Sequence, residues 1–202
     1  MAREIELKIP LTETQYKKLY DALIMQYKEI TGITVVSSSA EEVLKRDEYY
    51  SRYNTLEERR ANKEPQVIRI RTESDSKESK TYFCLKRKQY IDGMEQNVEE
   101  ETFIEDVTPL RSFFAEAGYF CWFDKNKRAY GAYCTTTETG ELPFHLELVT
   151  VNGLKYAEIE VTSETQSPKE VFAALESFVK KMGLNPEDKD PRSWYTICTG
   201  NN

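Results

Sequence analysis

Alternation of charged and apolar residues constrains this chain more than any other feature. In Glu4–Ile9, Glu4, Glu6 and Lys8 fall on one side of an extended chain and Ile5, Leu7 and Ile9 on the other, because successive side chains of a strand point to opposite faces. The same period recurs in Gln66–Thr72, where Arg69 and Arg71 oppose Ile68 and Ile70, and in Tyr156–Val161, where Glu158 and Glu160 oppose Ile159 and Val161. Lys86 and Lys88 share a face within Thr81–Gln89. A sheet with one face on a core and one in water also alternates. Here, however, the polar positions are almost purely charged, whereas a β surface usually mixes in Thr and Ser. They also sort by strand, with carboxylates on the first, fifth and last strands and cations on the third, fourth and sixth.

Eight strands are predicted: Glu4–Ile9, the residues around Asp47–Tyr50, Gln66–Thr72, Thr81–Gln89, Asn97–Asp106, Phe120–Tyr133, Phe144–Val149 and Tyr156–Val161, with Asn152-Gly153 as the turn between the last two. Helices are expected from Thr12 to Gly32, from Thr108-Pro109 to Gly118, and from the capping box Ser167-Pro168-Lys169-Glu170 to Gly183. Ser51–Pro65 reads as a solvated loop or short exposed helix, and Asp190–Cys198 as a terminal extended segment. No linker interrupts the chain, so residues 1–202 form one α+β domain on a mostly antiparallel sheet. Eight antiparallel strands can close into a barrel with flanking helices, whose interior alternates with its exterior. With the charged faces inward, a carboxylate wall meets a cationic wall, which is stable only when paired or liganded. The natural guest is a polyanion with divalent metal ions, carboxylates holding Mg²⁺ or Mn²⁺ and Lys and Arg holding phosphate oxygens.

The formal net charge of -7 argues against a nucleic-acid partner held by bulk electrostatics. No run of 18 apolar residues occurs, which predicts no transmembrane helix. The N-terminus lacks an apolar leader, and Cys84, Cys121, Cys134 and Cys198 are far apart beside a lone His145. A cytoplasmic protein with reduced thiols and no zinc site is expected. His145 reads as structural or surface-facing, since an oxygen-ligand metal site needs no imidazole. Trp122 and Trp194 read as packing residues.

Glu4-Ile-Glu6-Leu-Lys8 resembles the E-x-E-x-K signature of the CYTH superfamily, the triphosphate tunnel metalloenzymes. Asp47-Glu-Tyr-Tyr50 looks like that family's second strand, Arg69-Ile-Arg71 its R-x-R, and Lys86 the Lys of the next strand. Glu99-Glu100-Glu101, Lys125-Asn-Lys127-Arg128 and Glu158-Ile-Glu160 resemble further motifs in order, and Pro191-Arg-Ser-Trp-Tyr195 is similar to the P-R-S-Y ending of the class IV adenylate cyclase branch. The family's Asp before the final hairpin is missing, Glu147 being the nearest carboxylate, and Ser51–Pro65 is an insertion relative to a minimal member.

The resemblance implies a metal-dependent enzyme, monomer or homodimer, acting on a triphosphate small molecule. It assigns Glu4, Glu6, Glu158 and Glu160 to the metal, with Glu147 and Glu100 as further members. It assigns Lys8, Arg69, Arg71, Lys86, Lys88, Lys125, Lys127 and Arg128 to phosphate oxygens, Lys8 also as a catalytic residue. The first expectation is conversion of ATP to cyclic AMP and pyrophosphate. The alternatives are hydrolysis of tripolyphosphate, thiamine triphosphate or a nucleotide, and a non-catalytic binder of a phosphorylated metabolite.

Overall fold

A computed structural model of the chain describes residues 3–26, 30–64, 66–91, 94–136, 143–163 and 167–200. Its strands are β1 (Arg3–Pro10), β2 (Ile33–Ser38), β3 (Val43–Ser51), β4 (Gln66–Ser74), β5 (Ser79–Ile91), β6 (Met94–Ile104), β7 (Phe120–Thr136), β8 (Phe144–Val151) and β9 (Leu154–Ser163). The α-helices are α1 (Glu13–Leu19), α2 (Leu56–Ala61), α3 (Thr108–Glu116), α4 (Pro168–Lys181) and α5 (Trp194–Thr199). All strand pairings are antiparallel. The order β7-β3-β4-β5-β6-β1-β9-β8 returns to β7, so eight strands close into the expected α+β barrel. β2 lies along the same edge of β7 as β3, farther toward the C-terminal end of β7.

The barrel is built inside out relative to a sandwich: its apolar face is the outer one. Ile5, Leu7 and Ile9 of β1, Leu146 and Leu148 of β8, and Ile159 and Val161 of β9 pack against α1 and against Val171, Leu175, Phe178 and Val179 of α4. The apolar positions of α4 recur three and four residues apart and face the barrel. Its start is set by the predicted capping box, in which Ser167 accepts from Glu170 N–H and Glu170 accepts from Ser167 N–H. Phe178 stacks on Phe144 at 4.4 Å. Each such fully buried side chain stabilises the contact by about 1.5–3 kcal/mol. On another wall Phe114 of α3 packs on Tyr50, Ile68 and Ile70.

Four expectations are corrected. β2 was not anticipated: its sequence, Ile-Thr-Val-Val-Ser-Ser, is short and only partly alternating in burial. The helix after Thr12 ends early, passing from α1 into a π-helical turn at Tyr20–Ile24; residues 27–29 of the expected span lie outside the described residues. The C-terminal segment contains helix α5, because Ser193 caps Thr196 N–H and Gly200, at φ +72°, ends the turn in the left-handed region. The Ser51–Pro65 segment is not wholly solvated. Arg59 of α2 is buried, donates to Glu64 (2.8 Å) and the Gln66 carbonyl (2.7 Å), and lies 4.8 Å over the Trp122 ring. The Asn152-Gly153 turn forms as read, both residues having positive φ (50° and 79°). Among the described residues no helix is long and apolar enough to cross a membrane.

Candidate functional site

With the apolar positions facing outward, the alternate charged positions point into the lumen. There Asp47 of β3 organises the cations. It is fully buried, accepts from Arg71 Nε (2.6 Å) and Nη2 (3.0 Å), and lies 3.1 Å from Lys125 Nζ. Burial pushes its carboxyl up, but Arg71 and Lys125 outweigh burial and hold it well below the ordinary range. Lys125 is held at about 8, burial lowering it, Asp47 opposing and Lys127 adding repulsion. Lys127 bridges Glu147 (2.8 Å) and Glu158 (2.6 Å), and Lys45 joins Glu147 to Glu73 (3.1 Å). Arg69 donates to Glu99 at 2.7 Å, yet its buried Nε has no partner. An unsatisfied donor on a buried guanidinium costs free energy until an acceptor arrives.

The carboxylates converge on β1 and β9. The register sets Glu6 opposite Glu160 and Lys8 opposite Glu158. Lys86 reaches this group at 3.0 Å from Glu4, 3.9 Å from Glu6 and 3.4 Å from Glu99. Burial pushes Glu4 up to about 8, against the pull of Lys86 and with the repulsion of Glu6, Glu160 and Glu99. Burial and then the neighbouring Glu158 raise Glu6 as well. Such mutual repulsion marks an all-oxygen donor set short of positive charge. Among the described residues of the lumen, Glu4, Glu6, Asp47, Glu73, Glu99, Glu101, Glu147, Glu158 and Glu160 outnumber Lys8, Lys45, Arg69, Arg71, Lys86, Lys125 and Lys127 by two. Glu158 differs from Glu4 and Glu6: burial raises it too, but Lys127 and Lys125 outweigh burial and hold it at about 2. Glu4, Glu6, Glu158 and Glu160 offer oxygen donors of the kind a hard divalent cation takes, while among the described residues the donors that lie within 4.8 Å of one another are those of Cys84, Glu99 and Glu101.

One end of the barrel is closed by α5. Trp194 enters the lumen, donates its indole N–H to Glu158 at 2.6 Å, and packs with Ala129, Val149, Tyr156 and Ile197. Lys125 Nζ lies 4.9 Å over the same ring, and Tyr195 packs on Trp122 and Phe123. The Arg192 guanidinium clamps Asp190, which also accepts from Tyr156 and donates its backbone N–H to the Lys8 carbonyl at 2.8 Å. Trp194 is thus a packing residue, as read, with a polar contact to the site.

Most of the sequence-predicted residues meet in the lumen: Glu4, Glu6, Glu147, Glu158, Glu160, Arg69, Arg71, Lys86, Lys125 and Lys127. Lys8 lies at the closed end, its ammonium on the Arg192 carbonyl. Glu100 is corrected: it points outward and pairs with Arg87 at 2.7 Å, while Glu99 and Glu101 face inward. Arg128 is corrected too, because it lies on the outer face and pairs with Glu42 at 2.9 Å. The Lys88 side chain lies outside the described residues. His145 faces the lumen toward the open end, 2.8 Å from Glu160. Sequence reading missed the roles of Asp47, Lys45, Glu99 and Glu101. No local signal finds them, because both parities are charged along Lys45–Glu48 and Glu99–Glu101; the pairing of Cys84 with Glu101 and Lys86 with Glu99 turns those two glutamates inward.

No protein-family model and no curated protein matches the chain. Solved structures do match over almost its whole length. The PH1819 protein from Pyrococcus horikoshii OT3 is 15% identical, with a TM-score of 0.67 over 98% of this chain and 99% of that one. A candidate adenylate cyclase from Vibrio parahaemolyticus is 16% identical, with a TM-score of 0.63 over 97% of both chains. A candidate adenylyl cyclase from Hippeastrum, described as having a dominant triphosphatase activity, is 19% identical, with a TM-score of 0.60 over 100% of this chain and 97% of that one. At these identities the shared property is the fold: a closed antiparallel barrel.

Proposed function

We propose that the chain is a metal-dependent enzyme that acts on a triphosphate chain held inside the barrel. The observation that carries this reading is the orphaned Nε of Arg69, buried beside Arg71 in a barrel whose lumen also holds Lys86, Lys125 and Lys127. In this reading Arg69, Arg71, Lys86, Lys125 and Lys127 hold phosphate oxygens, and Asp47 aims Arg71 and Lys125. Glu4, Glu6, Glu158 and Glu160 hold Mg²⁺ or Mn²⁺, which when bound neutralises charge on the phosphates. Phosphoryl chemistry needs mainly positioning and charge stabilisation, and these residues provide both.

The finer reading is a cyclase of the class IV type, supported by the Pro191-Arg-Ser-Trp-Tyr195 ending and by the fold shared with candidate adenylate cyclases. The ATP 3′-oxygen bonds to the α-phosphorus, the bond to the β-phosphate oxygen breaks, and cyclic AMP and pyrophosphate leave. The activity described for the Hippeastrum protein supports a second reading: a water oxygen bonds to the terminal phosphorus, the bond to the bridging oxygen breaks, and orthophosphate and the shortened phosphate chain are released. Incubation with ATP or tripolyphosphate and Mg²⁺ or Mn²⁺, followed by separation of the products, tests both. Cyclic AMP with pyrophosphate is the expected outcome; orthophosphate without cyclic nucleotide replaces the cyclase reading with the triphosphatase one. Absence of turnover on both substrates would favour the non-catalytic binder of a phosphorylated metabolite instead.

The lowered pKa of Lys125 gives a second expectation. Burial holds this ammonium at about 8, so near pH 8 part of the free protein lacks the proton. An arriving phosphate raises the pKa, and binding takes up protons there. Calorimetric titration of ATP in two buffers of different ionisation enthalpy measures this uptake. It should shrink in a Lys125→Met protein, where the nucleotide's own protons still contribute; equal uptake in both proteins removes Lys125 from the phosphate site.

A further inference from the structure

Trp194 and α5 fill one end of the lumen, and among the described residues no helix is packed into the other, so a triphosphate chain held in the barrel would enter there and any organic group it carries would stay at that end. Two aromatic pairs stand there. On β7 and β8, Tyr133 stacks on His145 with ring centroids 4.6 Å apart and planes 23° apart. On β5 and β6, Phe103 meets Tyr82 edge-on at 6.1 Å. Strand order makes these walls opposite: going round the ring, β5-β6 is as far from β7-β8 as the barrel permits.

All four residues are on inward-facing positions. Tyr133 has the parity of Lys125 and Lys127, His145 that of Glu147, Tyr82 that of Cys84 and Lys86, and Phe103 that of Glu99 and Glu101. Phe103 is nevertheless 57% exposed and Tyr133 49%, so both rings border solvent rather than a closed core. The Tyr133 platform is held in place: His145, beneath it, is anchored by Nδ1 on Glu160 at 2.8 Å. Beside Tyr82 a cavity of about 150 Å³, lined by Val43, Glu73, Lys80 and neighbouring residues, continues the opening. Tyr133, His145, Glu160 and Glu6 are also consecutive partners across β7, β8, β9 and β1. The platform is therefore joined directly to the carboxylate group.

We infer that the open end is a binding site for a planar aromatic heterocycle attached to the triphosphate, stacked against Tyr133 with Phe103 on the opposite wall. This rests on the triphosphate reading above and narrows it, because inorganic tripolyphosphate would leave the aromatic rings unused. Glu73 and Glu101 at the same end can accept hydrogen bonds from exocyclic amino groups, which both a nucleobase and an aminopyrimidine carry.

The test compares equilibrium binding of ATP, thiamine triphosphate and tripolyphosphate in the presence of Mg²⁺ at low temperature, for the wild type and for Tyr133→Ala, Tyr133→Phe and Phe103→Ala. Stacking on an aromatic side chain accounts for roughly tenfold in affinity. The affinity for the heterocyclic triphosphate relative to tripolyphosphate should fall by about that factor in both alanine variants and recover in Tyr133→Phe. Whichever heterocyclic ligand shows the fall identifies the source of the ring. A ratio unchanged in both alanine variants, or a wild type that prefers tripolyphosphate to both heterocyclic ligands, overturns the mouth site while leaving the tunnel intact. A wild type that binds none of the three overturns the triphosphate reading itself. Both rings are half-exposed, so circular dichroism should show the variants folded.

Discussion

An Asp47→Asn protein is expected to lose about 3–5 kcal/mol of stability, the usual cost of removing one partner of a buried ion pair. The carboxylate is fully buried and serves Arg71 through two hydrogen bonds and Lys125 through a third contact. An amide leaves buried Lys125 without its carboxylate partner and Arg71 with only the 3.8 Å contact to Glu73. Denaturant titration at neutral pH measures the loss, and a change below about 1 kcal/mol, the range of exposed pairs, would show that Asp47 does not organise the cations. The pH dependence supplies a second check. The folded pKa of Asp47 lies below its unfolded value, so the group contributes stability above about pH 4. That contribution fades as pH falls through the folded pKa. The difference between wild type and variant should therefore be largest at neutral pH and shrink in acid.

Glu6→Gln is expected to separate activity from stability. The Glu6 carboxylate is raised in pKa by burial and by Glu158, so its ionised form is unfavourable in the folded protein. Replacing it with a neutral isostere should leave the denaturation midpoint unchanged or higher, despite losing the 3.9 Å contact to Lys86. Turnover of the triphosphate substrate should fall on the order of 10²–10³-fold, as when one electrostatic element of such a site is removed. Full turnover in a folded Glu6→Gln protein would refute a role for the β1–β9 carboxylates. A loss of stability matching the loss of activity would instead mark Glu6 as structural.

The two residues differ in how they could be read. Glu6 belongs to a six-residue alternation, and its inward orientation follows once Ile5, Leu7 and Ile9 are assigned to the core. Asp47 sits in Lys45-Arg46-Asp47-Glu48, where both parities are charged. Only the packing of Tyr50 against Phe114 at 4.7 Å shows which parity faces outward. The same ambiguity explains Glu100, the middle of three consecutive glutamates, whose neighbours turn inward through their pairing with Cys84 and Lys86. Arg128 fails for a related reason: Lys125, Lys127 and Arg128 read as one basic motif, but a strand divides adjacent residues between its two faces.

Local chemistry therefore determined, from sequence alone, eight of the nine described strands, the capped helix α4, the Asn152-Gly153 turn and most of the charged lining. These follow from the two-residue period, from side-chain capping and from the need to bury one face, each of which acts within a few residues. Tertiary structure decided which of two charged parities faces the lumen, that cations and carboxylates interleave through Asp47 and Glu147, and that α5 closes one end. It also placed the two aromatic pairs at the opposite end. Those features depend on strands distant in the chain and on the stagger of a closed sheet, which no segment of sequence contains by itself.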